Sequence, residues 1–399
     1  MKIGINLLGL RPAMIGGVET YIRGLLAGLC HVDHDNEYVI FANRDNYATF
    51  SGLAENFRLE RCEFAAGWRP WSLFVTRVLG EQLYLTWRAA REQLDVLHSP
   101  LDTISLFAPC ATAMTLHDIN FDAVPEATTA FRRRLARILV KACARHATVV
   151  LTVSEFSRRE IVREMGLAPE RVKVTYNASG RDRSASENYW PGLARKINLR
   201  LPYIIALSSL NPHKNLGSLI AAFARLRPEG RWQLVVVGHL PTRGVCLREL
   251  ALSYGVERAV TFTGYLSDGE LTLALRHARM LAFPSLYEGF GIPVIEAMSL
   301  GVPVACSNAA ALPEVTGGAA LMFNPRDPAA IASAISRLLT DERLRERLIA
   351  AGYKNARRFS WSRTSEQTLA AYRYAYAAKN RRSLPVDPAA APSHQMQEL

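Results

Sequence analysis

The densest group of residues able to do chemistry is the segment Phe283–Glu296, F-P-S-L-Y-E-G-F-G-I-P-V-I-E. An apolar run that reads as a buried strand ends at Pro284. Gly289 and Gly291 then permit a tight turn or close approach of backbone to a ligand, and Pro293 suits the first turn of a following helix. Such a loop aims unpaired N–H groups at one point, an anion site suited to a diphosphate. Glu288 precedes the loop and Glu296 lies about one turn into the helix. Phosphate repels a carboxylate, so each needs another task, and accepting hydrogen bonds from sugar hydroxyls fits. The plain alternative makes Glu288 a loop cap and Glu296 a solvated helix residue.

Three other places carry candidate chemistry. Lys214 stands directly before a helix, where an ammonium neutralises phosphate; alone it reads as a surface lysine. His117 and Asp118 close a strand in T-L-H-D-I-N-F (Thr115–Phe121), where a doubly wound sheet presents ligand residues. A lone histidine is more often packed or structural. Gly16 and Gly17 open a helix soon after the first strand, but form neither a dinucleotide fingerprint nor a P-loop. The literal D-x-D, Asp33-His34-Asp35, reads as a solvated turn. The six cysteines stand singly, which suggests neither zinc nor disulfides and points to a reducing cytoplasm.

The elements that position these residues alternate strand and helix. Strands are expected at Lys2–Leu8, Val39–Ala42, Asp95–His98, Ala111–Leu116, Thr148–Val153 and Val172–Tyr176. A helical stripe follows the first of them, a basic helix covers about Thr129–His146, and Ser154 caps another. From Gly180 to Arg200 the sequence turns polar, and the interdomain boundary is placed there. Alternation resumes with strands at Tyr203–Ser208, Gln233–Gly238, Val260–Thr263, Met280–Pro284 and Val302–Cys306. Helices at about Pro328–Leu339 and Asp341–Arg358 and a last one at about Ser362–Ala377 complete the chain. This pattern predicts an α/β architecture of two doubly wound parallel sheets, each covered by helices, with ligand loops of both facing a common cleft. The expected units are residues 1–185, 200–358, a terminal helix 359–378, and a disordered tail 380–399.

The Phe283–Glu296 segment closely resembles the E-x7-E signature of retaining glycosyltransferases of family 4, which have the GT-B fold. The resemblance implies that Glu288 contacts the donor sugar and Glu296 the nucleotide ribose. The loop Gly289, Phe290, Gly291, Ile292 would bind phosphates through its backbone. A-L-S-S-L-N-P-H-K-N-L (Ala206–Leu216) is similar to the family's diphosphate clamp, with Lys214 matching the family lysine. His213 stands where Arg is frequent, and Ser209 where some members place a second Arg. His213 adds charge only when protonated, which makes donor affinity pH-dependent. V-T-F-T-G-Y-L-S resembles the segment beside the nucleobase, so backbone near Tyr265 and Leu266 would read the base. S-N-A-A-A-L-P-E-V also matches, with Glu314 bracing the loop over the site. Gly16 and Gly17 inherit a place near the diphosphate, and His117 a role at the reaction centre by hydrogen bonding to the sugar. Phe359-Ser360-Trp361 and the helix with Tyr372 resemble the terminal segment that crosses back in GT-B enzymes.

The resemblance implies transfer of a hexose with retention, with no metal and no cofactor beyond the nucleotide-sugar donor. The H-S-P, T-L-H-D and L-N-P-H-K-N strings look most like bacterial mannosyltransferases of surface polysaccharide synthesis. GDP-mannose is thus the first expected donor and UDP-glucose or another UDP-sugar the second. The expected acceptor is a glycan or lipid-linked oligosaccharide. The net charge of +12 suits peripheral contact with an anionic membrane at the inner face of the inner membrane, and nine basic residues fall within Phe131–Arg163. No nucleic-acid motif accompanies them, so no nucleic-acid partner is expected. Lys2–Leu8 reads as a strand rather than a signal sequence, and no run of about 18 apolar residues occurs. Trp68, Trp71, Phe74 and Trp87 read equally as core or as a membrane-leaning acceptor surface. A nucleotide-sugar epimerase and a non-catalytic binding protein are the competing classes.

Overall fold

Mostly apolar strands of three to seven residues, separated by helices, leave parallel pairing as the arrangement that buries both sheet faces. The computed structural model describes residues 1–11, 16–63, 76–119, 130–180, 186–207, 212–226, 231–239 and 246–383. The first sheet holds β1 (Lys2–Leu7), β2 (Glu37–Asn43), β3 (Phe57–Cys62), β4 (Val96–Ser99), β5 (Ala111–Thr115), β6 (Val149–Thr152) and β7 (Val172–Val174). Its order is β3-β2-β1-β4-β5-β6-β7, with every pair parallel. The second holds β8 (Tyr203–Leu207), β9 (Gln233–Val237), β10 (Val260–Gly264), β11 (Met280–Phe283), β12 (Val304–Ser307) and β13 (Leu321–Phe323), in the order β10-β9-β8-β11-β12-β13. It too is parallel throughout.

The order reverses between β1 and β4 in one sheet and between β8 and β11 in the other. Loops leaving such neighbouring strands diverge and open a crevice at their carboxyl ends. Lys214 follows β8 and Glu288 follows β11, so the crevice of the second sheet receives both.

The helix Trp361–Ser383 returns to the first domain. Leu369, Ala371, Tyr372 and Ala375 join the core that contains Ile3, Tyr21 and Leu25. Gly24 and Gly28 on the helix Gly16–Val32 let it approach: a Cβ on Gly28 would lie 2.5 Å from the Trp361 carbonyl oxygen, and one on Gly24 2.1 Å from the Trp361 ring.

Several expectations change. β3 and β13 lie outside the strands expected from the sequence; β3 is partly exposed and charged (F-R-L-E-R-C), and β13 has three residues, so neither shows a full apolar run. Within the polar stretch 180–200, Trp190–Lys196 is a helix, and Leu193 and Ile197 are buried in the second domain's core. The terminal helix extends to Ser383, past residue 380 where disorder was expected; residues 384–399 lie outside the described ones. Asp33 is buried rather than solvated: it accepts hydrogen bonds from the Asn36 side chain at 2.7 Å, the Asp35 N–H at 3.2 Å and the Tyr38 hydroxyl.

Candidate active site

The second-domain half is assembled by one turn and the long-range hydrogen bonds that tie it down. A 3-10 turn, Pro212–Lys214, follows β8. Asn215, left-handed at φ 56, donates through Nδ2 to the carbonyls of Pro284 at 3.1 Å and Pro325 at 2.7 Å. Leu286 N–H donates to the His213 carbonyl at 2.8 Å. The turn is thereby tied to the end of β11, and Lys214 Nζ reaches Glu288 Oε1 at 2.6 Å, with the Phe283 ring 5.2 Å from the ammonium. Both side chains are largely covered, which strengthens a charge-assisted bond.

Beyond Glu288 the loop turns at Gly291, whose φ of +94 is left-handed and suits glycine. It caps the helix Ile292–Ser299. Glu296 is 3% exposed, so it is not a solvated helix residue. Phe290 and Ile292 are buried, and Phe290 packs edge-on against Phe359 at 5.4 Å; only the backbone of this stretch is left to meet a ligand. Leu266 is likewise in the core, whereas Tyr265 is 60% exposed and stacks with His239 at 6.1 Å. Ser209 lies outside the described residues. His213 is half-buried, with its Nδ1 lacking a hydrogen-bond partner among the described residues. Burial pushes its pKa down and Lys214 beside it acts the same way, against the opposing pull of Glu288. Burial thus disfavours a charge on His213 beside Lys214.

The first-domain half meets this loop directly. His117 follows β5, and its carbonyl oxygen lies 2.4 Å from where a Cβ on Gly289 would sit. Ser157 Oγ donates to the Gly289 carbonyl at 3.3 Å. Burial lowers the pKa of His117, whose Nε2 lies 3.3 Å from the Pro100 carbonyl. Gly16 and Gly17 begin the first helix, exposed, with nothing within 4 Å of a Cβ built on either. Among the described residues, nothing packs against them.

Glu314 accepts backbone N–H bonds from Glu155 and Phe156, both at 2.8 Å. It caps from the second domain the helix Glu155–Met165, whose own N-cap Ser154 accepts from Ser157 N–H. A carboxylate at a helix N-terminus also meets the positive end of the dipole. Glu314 was expected to brace the loop over the site; the observed contact is instead with a helix of the other domain. The basic cluster is partly structural as well: Lys141 and Arg145 donate to the carbonyls of Glu164 and Met165 at the far end of that helix. Among the described residues, no three His, Cys, Asp or Glu side chains gather in a way that could hold a metal.

The site thus places an ammonium, two carboxylates and a glycine-turned helix start at the switch point of one sheet, closed against a histidine from the other. Comparison with known proteins gives the family. A family model described as Glycosyltransferase Family 4 matches residues 15–183, and one described as Glycosyl transferases group 1 matches residues 194–355. The chain is 35% identical over 264 residues to O-antigen chain mannosyltransferase B of Escherichia coli, covering 65% of this chain and 69% of that protein. It is 30% identical to the MMP alpha-(1->4)-mannosyltransferase of Mycolicibacterium hassiacum, covering 91% and 95%. Sucrose-phosphate synthase from Thermosynechococcus elongatus shares its fold, with a TM-score of 0.75 at 20% identity over 95% of this chain and 100% of that one. With matches to both halves and to whole transferases, this chain belongs to the family 4 glycosyltransferases and is a glycosyltransferase of the GT-B fold.

Proposed function

We propose that the protein moves a mannosyl group from GDP-mannose, with retention at the anomeric carbon, onto a glycan or lipid-linked oligosaccharide of surface polysaccharide synthesis. The observation that carries this reading is the Lys214–Glu288 pair, 2.6 Å apart beside the start of the helix Ile292–Ser299. Its position suits an ammonium for the diphosphate and a carboxylate for the sugar hydroxyls within one step of each other. Charge growing on the leaving phosphate falls to Lys214 and to backbone N–H groups of Gly289–Ile292 and of Gly16 and Gly17, donors that need no reorganisation and no metal. Glu296 holds the ribose. No side-chain base is assigned; the departing phosphate takes the acceptor proton on the same face. The preference for mannose rests on the names of the two relatives, both mannosyltransferases.

An anionic membrane is the proposed surface on which the acceptor is met. On the consecutive helical segments Thr76–Tyr84 and Leu85–Arg91, Leu79, Leu83 and Trp87 recur at four-residue spacing and are exposed, as is Phe107 on the loop that Gln82 ties to them. Arg91 lies over the Trp87 ring at 5.3 Å, so a cation borders the apolar stripe; Arg88 beside it is paired with Glu60 and Glu92. That pairing fits a bilayer with anionic headgroups. Among the described residues no helix is long and apolar enough to cross a membrane.

The deciding experiment screens purified protein for binding and slow hydrolysis of GDP- and UDP-sugars, with chelator present and absent. Turnover of GDP-mannose unaffected by chelator is expected. Selective use of a UDP-sugar replaces the donor assignment, chelator sensitivity removes metal independence, and interconversion of the sugar without transfer points to an epimerase. Oligonucleotide binding with no nucleotide-sugar binding would make the chain a binding protein.

A further inference from the structure

Behind His117 runs a chain of buried polar side chains. His98 Nδ1 lies 2.6 Å from the Tyr372 hydroxyl and its Nε2 lies 2.8 Å from Thr115 Oγ1. Thr115 Oγ1 is 3.1 Å from the Tyr21 hydroxyl, which also bonds the Thr175 side chain. Thr175 Oγ1 donates to the Thr152 carbonyl at 3.4 Å. All five side chains are fully buried.

A carbonyl only accepts, which sets the direction of the whole chain. Thr175 donates to Thr152, Tyr21 to Thr175, Thr115 to Tyr21, the Nε2–H of His98 to Thr115, and Tyr372 to His98 Nδ1. Every proton then has an acceptor. Run the other way, the Tyr372 hydroxyl proton has none among the described residues. A neutral His98 is required, because a doubly protonated ring offers Tyr372 nothing to donate to. Burial supplies this, holding the His98 pKa down at about 3.

Within this chain, the Tyr21 ring meets the His117 ring edge-on, with centroids 4.8 Å apart and planes at 85°. Pro100, two residues after His98, places its carbonyl 3.3 Å from His117 Nε2. That carbonyl also only accepts, so Nε2 carries the proton and Nδ1 the lone pair. We infer that Tyr372, His98 and Tyr21 are positioning residues that hold the His117 ring from behind, so that, with Pro100 selecting the tautomer, Nδ1 is presented as an acceptor for a substrate hydroxyl. The hydroxyl's place rests on the proposed transferase reading; the positioning does not. The outermost member, Tyr372, belongs to the helix that crosses back from the second domain, so its seating on the first domain reaches the reaction centre.

The test is nitrogen NMR of histidine-labelled full-length protein, alongside transfer kinetics, for the wild type, Tyr372→Phe and Tyr21→Phe. The wild type is expected to show His117 as a single Nε2–H tautomer. In either variant the His117 ring signals should shift toward a tautomer mixture, and kcat should fall on the order of tenfold through misorientation while KM for the donor holds within about twofold. Tyr21→Phe breaks the chain at a different member and decides the matter if Tyr372→Phe does not fold. An Nδ1–H tautomer in the wild type, or unchanged His117 signals in both variants, overturns the inference. Shifted signals with unchanged kcat uphold the positioning and count instead against a role for His117 in transfer.

Discussion

Replacing Gly289 by alanine adds one methyl group at the point where the two domains meet. The new Cβ would lie 2.4 Å from the His117 carbonyl oxygen and 3.1 Å from Asp118 Cβ, whereas ordinary contact begins near 3.4 Å. About 1 Å of retreat is therefore needed, and a backbone carbonyl cannot swing aside as a side-chain tip does. Both obstructing atoms belong to the other domain, so the retreat opens the cleft locally. A movement of that size takes the Ser157–Gly289 bond, already 3.3 Å, out of hydrogen-bonding range and strains the Glu314 cap. Misplacement of reacting groups by about 1 Å costs roughly 100-fold in rate, equivalent to about 2.7 kcal/mol. We expect Gly289→Ala to lower kcat by that order while each domain melts normally. The assay is initial transfer rate at saturating donor, beside a thermal melt. Gly192→Ala, where a Cβ meets nothing within 4 Å, serves as the control. A Gly289→Ala enzyme within threefold of the wild-type kcat would falsify the idea that this backbone approach sets the reactive geometry.

Four further outcomes follow from the same contacts. Glu288→Ala should abolish transfer with the fold intact, and Lys214→Ala should raise the donor KM. Because the two side chains bond each other at 2.6 Å, the double variant should lose much less than the sum of the singles; strict additivity in the kinetics would argue against one shared site. Glu314→Ala leaves two N–H groups of the helix Glu155–Met165 without their cap, at roughly 1.5–3 kcal/mol for a charged hydrogen bond; scattering should show a more open molecule and donor affinity should drop, and an unchanged profile would rule out Glu314 as an interdomain latch. The folded-state pKa values of His98, His117 and His213 are all lowered, so below about 6.5 the unfolded chain takes up protons that the native state refuses. Their contribution is complete above that pH and declines beneath it by up to about 1.4 kcal/mol per pH unit for each histidine. Urea denaturation at pH 7.5, 6 and 5 should show this decline, and a flat or rising stability would refute it. Finally, Leu83→Ser with Trp87→Ser should weaken sedimentation with vesicles rich in anionic lipid without slowing transfer to a soluble acceptor. Equal sedimentation of the variant and the wild type would dismiss the stripe as a membrane contact.

What could be read from the chain was local. The loop after β11 was legible because its strand, glycines, proline and two carboxylates fall within fourteen residues, a span over which turn and helix-start chemistry is written in residue types. The same holds for the Ser154 cap and for the alternation that makes both sheets parallel. β3 escaped because its charged residues break the apolar pattern, and the helix Trp190–Lys196 because it is a short seven-residue piece that carries Pro191 and Gly192 in its first turn.

Partnership at long range was a different matter. Lys214 and Glu288 were both singled out for a donor, yet only folding brings them within 2.6 Å across 74 residues of sequence. Glu314 finds its helix 159 residues away, at a separation one less for the second of its two bonds, and His98 finds Tyr372 at 274. His213 could carry a charge as read in sequence, and burial in the fold works against it. Residue type and spacing determined which groups could act on a diphosphate and a sugar. The order of strands, which reverses beside β8 and β11, and the close packing of the two domains decided which of those groups meet, because neither desolvation nor distance is set until distant segments share a core.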